Sequence, residues 1–266
     1  MELFALGILS ATTIREIAAA AQKTAPRAHM ATLAALGCTG EYKANIYRDL
    51  KAKLKLQTVK IAEPVLVSLP LWSPSAVLRH QPGLVEAKYP IMLPHELLAS
   101  LWTHYPNYFK RYVLGEEPLQ NFWEHVPVDG PWLRGHPVRR IKDFTKWAIP
   151  LRLHGDGVPV AKAKKRSMDV ISMSSLVGAC GKTWDTKLLL SGIIDAAKSS
   201  DPAGVNDTMK AIWKILLWSF AALLKGRWPH ADWNNTPWPE GSWRAAKAGH
   251  RLCGNYIFLC CYAVPT

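Results

Sequence analysis

Acid is scarce in this chain. Its 266 residues carry 20 Asp and Glu against 33 Lys and Arg, a net charge of +13, and the isoelectric point lies near 9.6. That imbalance favours a polyanionic partner, nucleic acid or an acidic membrane surface, although charge supports nonspecific binding without identifying a ligand, and a merely basic soluble protein would share it. Cysteine is also sparse. Cys38, Cys180, Cys253, Cys260 and Cys261 are odd in number and include no Cys-x-x-Cys pair, which disfavours a zinc site or a disulfide framework. The adjacent Cys260 and Cys261, on an apolar segment, read as small hydrophobes buried in a reducing, intracellular compartment.

Long apolar runs are missing as well. No stretch reaches the roughly eighteen uninterrupted apolar residues of a membrane span, and the most hydrophobic one, 211–224, is broken by Lys214. No membrane span is expected. The opening residues Met1, Glu2, Leu3 and Phe4 put an acid where a secretory signal wants a base, which disfavours such a signal. What is present is a globular composition, 49% hydrophobic and 20% charged, long enough for one large domain or two small ones with a sizeable core. The 12 Trp are many for this length, and most are expected in the core.

Residues 13–22 read as an Ala-rich helix with Thr12 or Thr13 at its N-cap and Pro26 as its stop. Over 45–56, Lys51, Lys53 and Lys55 alternate with Ala52, Leu54 and Leu56, a period of two that suits a strand as well as a helix. Residues 1–63 are thus expected to be a helical, basic region. Residues 64–94 hold Pro64, Pro70, Pro74, Pro82, Pro90 and Pro94, which argues against a long helix or a central strand and reads as an extended linker or wrapping arm. Residues 95–147 read as a small helical aromatic region. Leu97, Leu98, Leu101 and Trp102 fall at helical spacing, and Tyr105, Tyr108, Phe109, Tyr112, Phe122 and Trp123 follow. Packing against a sheet explains such aromatics more often than stacking on bases does.

Residues 148–157, Ala-Ile-Pro-Leu-Arg-Leu-His-Gly-Asp-Gly, end a short apolar strand on one acid, Asp156, between two glycines. A strand followed by Gly-Asp-Gly is also an ordinary turn, with Gly supplying a positive φ. Arg134, Arg139, Arg140, Lys142 and Lys146 precede this locus, and Lys162, Lys164, Lys165 and Arg166 follow it. Two positive segments flanking one acid suit the approach of a phosphate backbone. A solvated hairpin loop explains the second run equally well, and Lys164-Lys165-Arg166 matches a short nuclear-localisation pattern.

Three strands are expected next, 149–154, 168–177 and 187–194, joined by short connections that imply antiparallel hairpins. Asn206 or Asp207 then caps a helix running to about Leu224, with Met209, Ile212, Trp213, Leu216, Leu217, Phe220 and Leu223 on its apolar face and Gly226 as its stop. The Trp213 and Leu217 side of that helix is expected to be buried. Residues 255–264 read as a last buried strand. The class is α/β (α+β), and the order of elements over 148–266 is β-β-β-α-β.

That order opens an RNase H-like fold, here an analogy of fold alone. His154-Gly155-Asp156-Gly157-Val158-Pro159-Val160, Trp218-Ser219-Phe220, and Trp228-Pro229 with Asp232 resemble a multicopy family of dinoflagellate proteins to which no reaction is assigned. The resemblance spans roughly residues 88–264 and includes Leu93-Pro94-His95 and Asn121-Phe122-Trp123. More distantly, the strand ending on Asp156 is similar to the RNase H-like catalytic core of eukaryotic cut-and-paste transposases, where carboxylates on the first and fourth strands hold two divalent metals. The resemblance implies Asp156 as the catalytic and metal-binding position. In the longer relatives, the strand matching 255–264 continues into an acidic residue, whereas this sequence stops at Thr266. Asp169 and Asp195 remain as substitutes, with nothing in their spacing to favour them.

One carboxylate holds a hard cation poorly, so Mg2+ or Mn2+ is expected only if a second carboxylate is supplied, and catalysis by this chain alone is not expected. Two functions from different classes follow. One is a truncated, inactive transposase-like domain that binds nucleic acid nonspecifically through Arg134, Arg139, Arg140, Lys162, Lys164, Lys165 and Arg166. The other is a basic protein-interaction or structural module in which Gly-Asp-Gly is only a turn. A metal-dependent nuclease would need a second carboxylate within about 4–6 Å of Asp156.

Overall fold

The computed structural model describes residues 10–24, 28–38, 45–53, 62–73, 83–127, 129–130, 133–161, 166–179, 186–200 and 207–261. The chain has two compact units, residues 1–60 and residues 61–266.

In the first unit, α1 (Ala11–Thr24), α2 (Ala28–Ala34) and α3 (Ile46–Lys53) surround a small core of Ala11, Ile14, Leu36 and Leu50. The N-cap of α1 is Ser10 rather than Thr12 or Thr13. Its hydroxyl accepts from the Thr13 N–H at 3.0 Å, and its carbonyl accepts from the Ile14 N–H at 3.0 Å. The ambiguous stretch 45–56 is helical over its described part. Asp49 and Leu50, neighbours in sequence, are both buried, which a strand with alternating faces would not allow on a half-buried surface. The Asp49 carboxylate accepts from the Gly37 N–H at 2.9 Å and closes the turn after α2.

In the second unit, the Pro-rich stretch is a hairpin rather than a linker. β1 (Val65–Ser73) pairs antiparallel with β2 (Gly83–Ile91), and Pro70 and Pro90 stand inside the strands. Each strand of a two-stranded sheet has one open edge, so a missing N–H is tolerated there. Val67, Leu69, Ile91 and Leu93 join the main core, while Leu66, Trp72 and Leu84 face outward. The hairpin is tied down by the Tyr89 hydroxyl, which donates to the Gly192 carbonyl, and by the Met92 N–H, which donates to the Leu190 carbonyl at 2.9 Å.

The aromatic region packs against the sheet. α4 (Pro94–His104) starts with proline at its first turn and is buried along most of its length, and a π-helical turn over Phe109–Leu114 and α5 (Leu119–Glu124) follow. Phe109 meets Trp102 and Phe258 edge-on at 5.2 and 6.4 Å, and the Trp123 indole N–H donates to the Ala148 carbonyl at 2.8 Å. Phe109, Phe258 and Trp123 are core, and Trp102 covers Phe109 from the surface.

The principal sheet consists of β3 (Ala148–Ala161), β4 (Arg166–Ser175), β5 (Leu188–Ile194) and β6 (Ile257–Cys261), in the order β5-β4-β3-β6. β3, β4 and β5 pair antiparallel in succession, and β6 runs parallel to β3, from Ala148 opposite Ile257 to Arg152 opposite Cys261. A parallel neighbour requires a crossover, and α6 (Thr208–Lys225) lies in it. Asp207 caps α6 by accepting from the Lys210 N–H at 2.9 Å, and Gly226 ends it at φ 64°. Its buried stripe is Ile212, Ile215, Leu216, Ser219 and Leu223. The expected burial of the Trp213 and Leu217 side is thereby corrected: Trp213 is half-buried and Leu217 is 48% exposed. Apolar residues surround α6 on most sides, so the pattern alone does not fix its rotation. No helix among the described residues is long and apolar enough to cross a membrane.

Candidate functional site

Asp156 does not end a strand. β3 continues through Gly155, Asp156 and Gly157 to Ala161, with Gly155 opposite Ile171, Asp156 opposite Val170 and Gly157 opposite Asp169. Neither glycine has a positive φ, and a Cβ on either would meet nothing within 4 Å. The expected turn, and the position just past a strand end, are both corrected. Val158, opposite Met168, and Val170 and Ile171 across the ladder suit a pleated strand, and the pairing runs past the glycines to Pro159 before the register shifts at Val160.

On this exposed ladder the Asp156 side chain is 63% exposed, and the Nε2 of His154, two residues away, lies 4.0 Å from its Oδ2. The substitutes named for a second metal ligand are elsewhere. Lys198 Nζ lies 2.6 Å from Asp169 Oδ2 and 2.5 Å from Asp195 Oδ1, and these two hydrogen bonds hold the lysine above its ordinary pKa. Asp169 is directly opposite Gly157, so it leaves the sheet on the face opposite to Asp156. Among the described residues, no group of three or more His, Cys, Asp or Glu side chains is placed to hold a metal ion. A divalent cation with octahedral oxygen coordination does not fit one exposed carboxylate beside an imidazole.

The first basic segment is built as a surface. Leu133 and Val138 are buried anchors, and the His136 ring nitrogen accepts from the Val138 N–H at 3.1 Å, which sets the 3-10 turn Pro137–Arg140. Arg134, Arg139 and Arg140 are exposed on that turn and its approach. Asp129 lies 3.8 Å from Arg139. Lys162, Lys164 and Lys165 lie outside the described residues, and Arg166 opens β4 with its side chain likewise outside them.

A second constellation escaped the sequence. His95, fully buried on α4, has its Nδ1 2.7 Å from the hydroxyl of Ser219 on α6, and its backbone N–H donates to the same oxygen at 3.1 Å. Trp218 and Trp228 meet the imidazole edge-on at 5.1 and 5.5 Å. Its Nε2 has no hydrogen-bond partner and lies 4.0 Å from Glu96 Oε1. Burial, helped by the charge of Arg244, pushes His95 down to about 3. Glu96 is itself buried and receives Arg244 in two hydrogen bonds, 2.6 and 3.1 Å, while Arg244 also lies over the Trp243 ring at 4.5 Å. Burial raises the Glu96 pKa, and the hydrogen bond and charge of Arg244 pull it partway back.

This cluster joins Leu93-Pro94-His95, Trp218-Ser219-Phe220 and Trp228-Pro229, segments singled out only by the family resemblance. A neutral imidazole on a serine hydroxyl suggests a nucleophile pair, but both residues are 0% exposed, so no substrate reaches them. The arrangement instead locks α4 to α6 and to the segment 228–244, which brings Trp228 and Arg244 to it. The hint of it in sequence is the polar pair His95-Glu96 at the start of an otherwise largely apolar helix.

The chain matches no protein-family model, no curated protein and no solved structure.

Proposed function

We propose that residues 148–266 form a truncated RNase H-like, transposase-like domain without a metal centre, and that this domain and the basic segment before it bind nucleic acid with no sequence preference. The observation that carries this is topological. Three antiparallel strands precede a helix, and the next strand lies parallel to the first and beside it, in the order β5-β4-β3-β6. Fold order by itself does not give a function. The net charge of +13 and the exposed Arg134, Arg139 and Arg140 support a polyanionic ligand. Such a surface contacts phosphates and releases their counterions, which provides affinity without reading bases. Lys162, Lys164, Lys165 and Arg166 would extend it, and a nuclear location would suit it.

Asp156 occupies a strand position like that of the first acid of the RNase H-like core, yet Asp169 leaves the opposite face, and Lys198 ties up both Asp169 and Asp195. No phosphodiester chemistry is therefore assigned to these residues. Titration of labelled duplex DNA into the full chain at low salt tests the proposal. Binding that is indifferent to sequence and lost as salt rises is expected, and no binding at low salt would remove it.

A further inference from the structure

A groove of about 190 Å3 runs between α6, β3, β6 and the turn that carries His136. His136, Leu153, Leu217, Phe220, Leu224 and Phe258 line it. It is smaller than the roughly 300–1,000 Å3 of small-molecule pockets, and its size suits one or two apolar side chains. Leu217, 48% exposed, stands at its mouth. We propose that this groove docks an acidic amphipathic helix of a partner protein, with apolar side chains in the groove and carboxylates along its rims.

Charge selects that occupant. α6 contains no acidic residue. Its exposed positions Lys210, Lys214, Ala221 and Lys225 fall in one stripe at 100° per residue, beside Leu217. Lys214 donates to the neutral side chain of Asn234 at 2.7 Å and keeps its charge. Across the groove, His136 leads into the exposed Arg139 and Arg140. The acids on that side are Asp129, which faces Arg139 at 3.8 Å, and Asp143, exposed at the end of the turn. Arg134 and Lys142, also exposed there, bring that side to four basic against two acidic residues, and Lys210, Lys214 and Lys225 outnumber the Asp207 that caps α6, so both rims keep an excess of positive charge, which attracts carboxylates and steers their approach. A second copy of the chain would bring the same lysine rim and be repelled. A nucleic-acid base fits poorly, because its polar edge would lose hydrogen bonds against leucines and the His136 ring nitrogen already serves the Val138 N–H. An amphipathic helix presents apolar anchors at i, i+4 and i+7, the spacing that helix-in-groove recognition uses.

Fluorescence anisotropy with the full chain tests this. The probe is a labelled helical peptide of about 18 residues, with leucines at i, i+4 and i+7 and glutamates on the flanks. A scrambled peptide of equal composition, single-stranded DNA and anionic vesicles serve as competitors. The amphipathic peptide is expected to bind and the scrambled one to bind at least about tenfold more weakly. Leu217→Asp should weaken binding at least about tenfold, and Leu217→Met should change it by less than about twofold. Leu217 is exposed, so both variants should keep the wild-type thermal unfolding curve. Equal binding of the scrambled peptide, no binding at millimolar protein, or an unchanged affinity in Leu217→Asp would overturn the proposal. So would Leu217-dependent binding of single-stranded DNA or vesicles, or Leu217-dependent self-association, without peptide binding. None of these readouts depends on whether the arginine surface binds duplex DNA.

Discussion

Asp156 and Asp169 stand on opposite faces of the same ladder, because Asp156 is opposite Val170 whereas Asp169 is opposite Gly157. Side chains alternate along a strand and cross-strand partners share a face, so no rotamer brings the two carboxylates onto one ion without a shift of register. Asp169 is moreover bonded to Lys198 at 2.6 Å.

The first prediction follows from that separation. Asp156→Ala should leave Mn2+ affinity, thermal stability and duplex DNA affinity within about twofold or about 0.5 kcal/mol of wild type, as for an exposed residue away from any cap or core. Isothermal titration with Mn2+ and the DNA titration check it. Mg2+- or Mn2+-dependent DNA cleavage lost in Asp156→Ala would show that a metal site exists after all.

The arginine surface makes a second prediction. In a plot of log affinity for duplex DNA against log salt, each phosphate contact contributes a slope of about −0.9. Replacing Arg139 and Arg140 together by Ala should therefore weaken binding at low salt for every DNA sequence and reduce the slope by up to about 1.8. Asp129 already faces Arg139 at 3.8 Å, so Arg140→Ala alone should have the larger single effect. An unchanged slope in the double variant would place the contacts elsewhere.

His95 gives a third prediction, with a defined sign. Burial lowers its pKa from the ordinary 6.5 to about 3, so the unfolded chain binds this proton more readily than the folded one. The corresponding stability is fully present above pH 6.5 and is lost as pH falls from 6.5 toward 3. At pH 5 the loss is about 2 kcal/mol, from roughly 1.4 kcal/mol per pH unit. Glu96, whose pKa burial raises, contributes with the opposite sign, so the comparison is with a variant that keeps Glu96. Urea unfolding of wild type and His95→Gln at pH 7.5 and pH 5 should show about 2 kcal/mol more loss in wild type. Parallel losses in the two proteins would mean that His95 is protonated in the folded state.

Much of this fold was legible because local signals agreed. Val170, Ile171 and Met173 marked β4, Leu188, Leu189 and Leu190 marked β5, and Asp207 and Gly226 marked both ends of α6. The hairpin over 65–91 was missed because prolines outweighed an alternation that was also there, Val65, Val67 and Leu69 on one face and Leu66, Ser68 and Pro70 on the other. The rotation of α6 was missed because Ser219, a polar residue, is in its buried stripe. What places it there is His95, 124 residues away, a contact that no local pattern records. For Asp156, Gly-Asp-Gly carried the composition of a turn, and only the pairing with β4 shows that the strand continues.

The last prediction concerns those glycines. Gly155 and Gly157 lack a positive φ, and a Cβ on either is unobstructed. Gly178 differs, since a Cβ there would lie 2.0 Å from the Tyr112 carbonyl oxygen, and so does Gly115, at φ 81° with the Val177 carbonyl oxygen at 2.1 Å. These two allow the π-helical turn and the segment after β4 to approach backbone to backbone, where the Ala179 N–H donates to the Arg111 carbonyl at 2.9 Å. Backbone cannot yield as a flexible side chain does, so a methyl group must part the two segments and break that bond. Gly155→Val should therefore be neutral or stabilise by up to about 1 kcal/mol, because a β-branched residue suits a strand better than glycine. Gly178→Ala should cost at least about 3 kcal/mol, in the range of overpacking combined with a lost hydrogen bond. Thermal unfolding of the two variants decides it. An unfolded Gly155→Val protein beside a wild-type-like Gly178→Ala would return Gly-Asp-Gly to the role of a turn and contradict the register of β3.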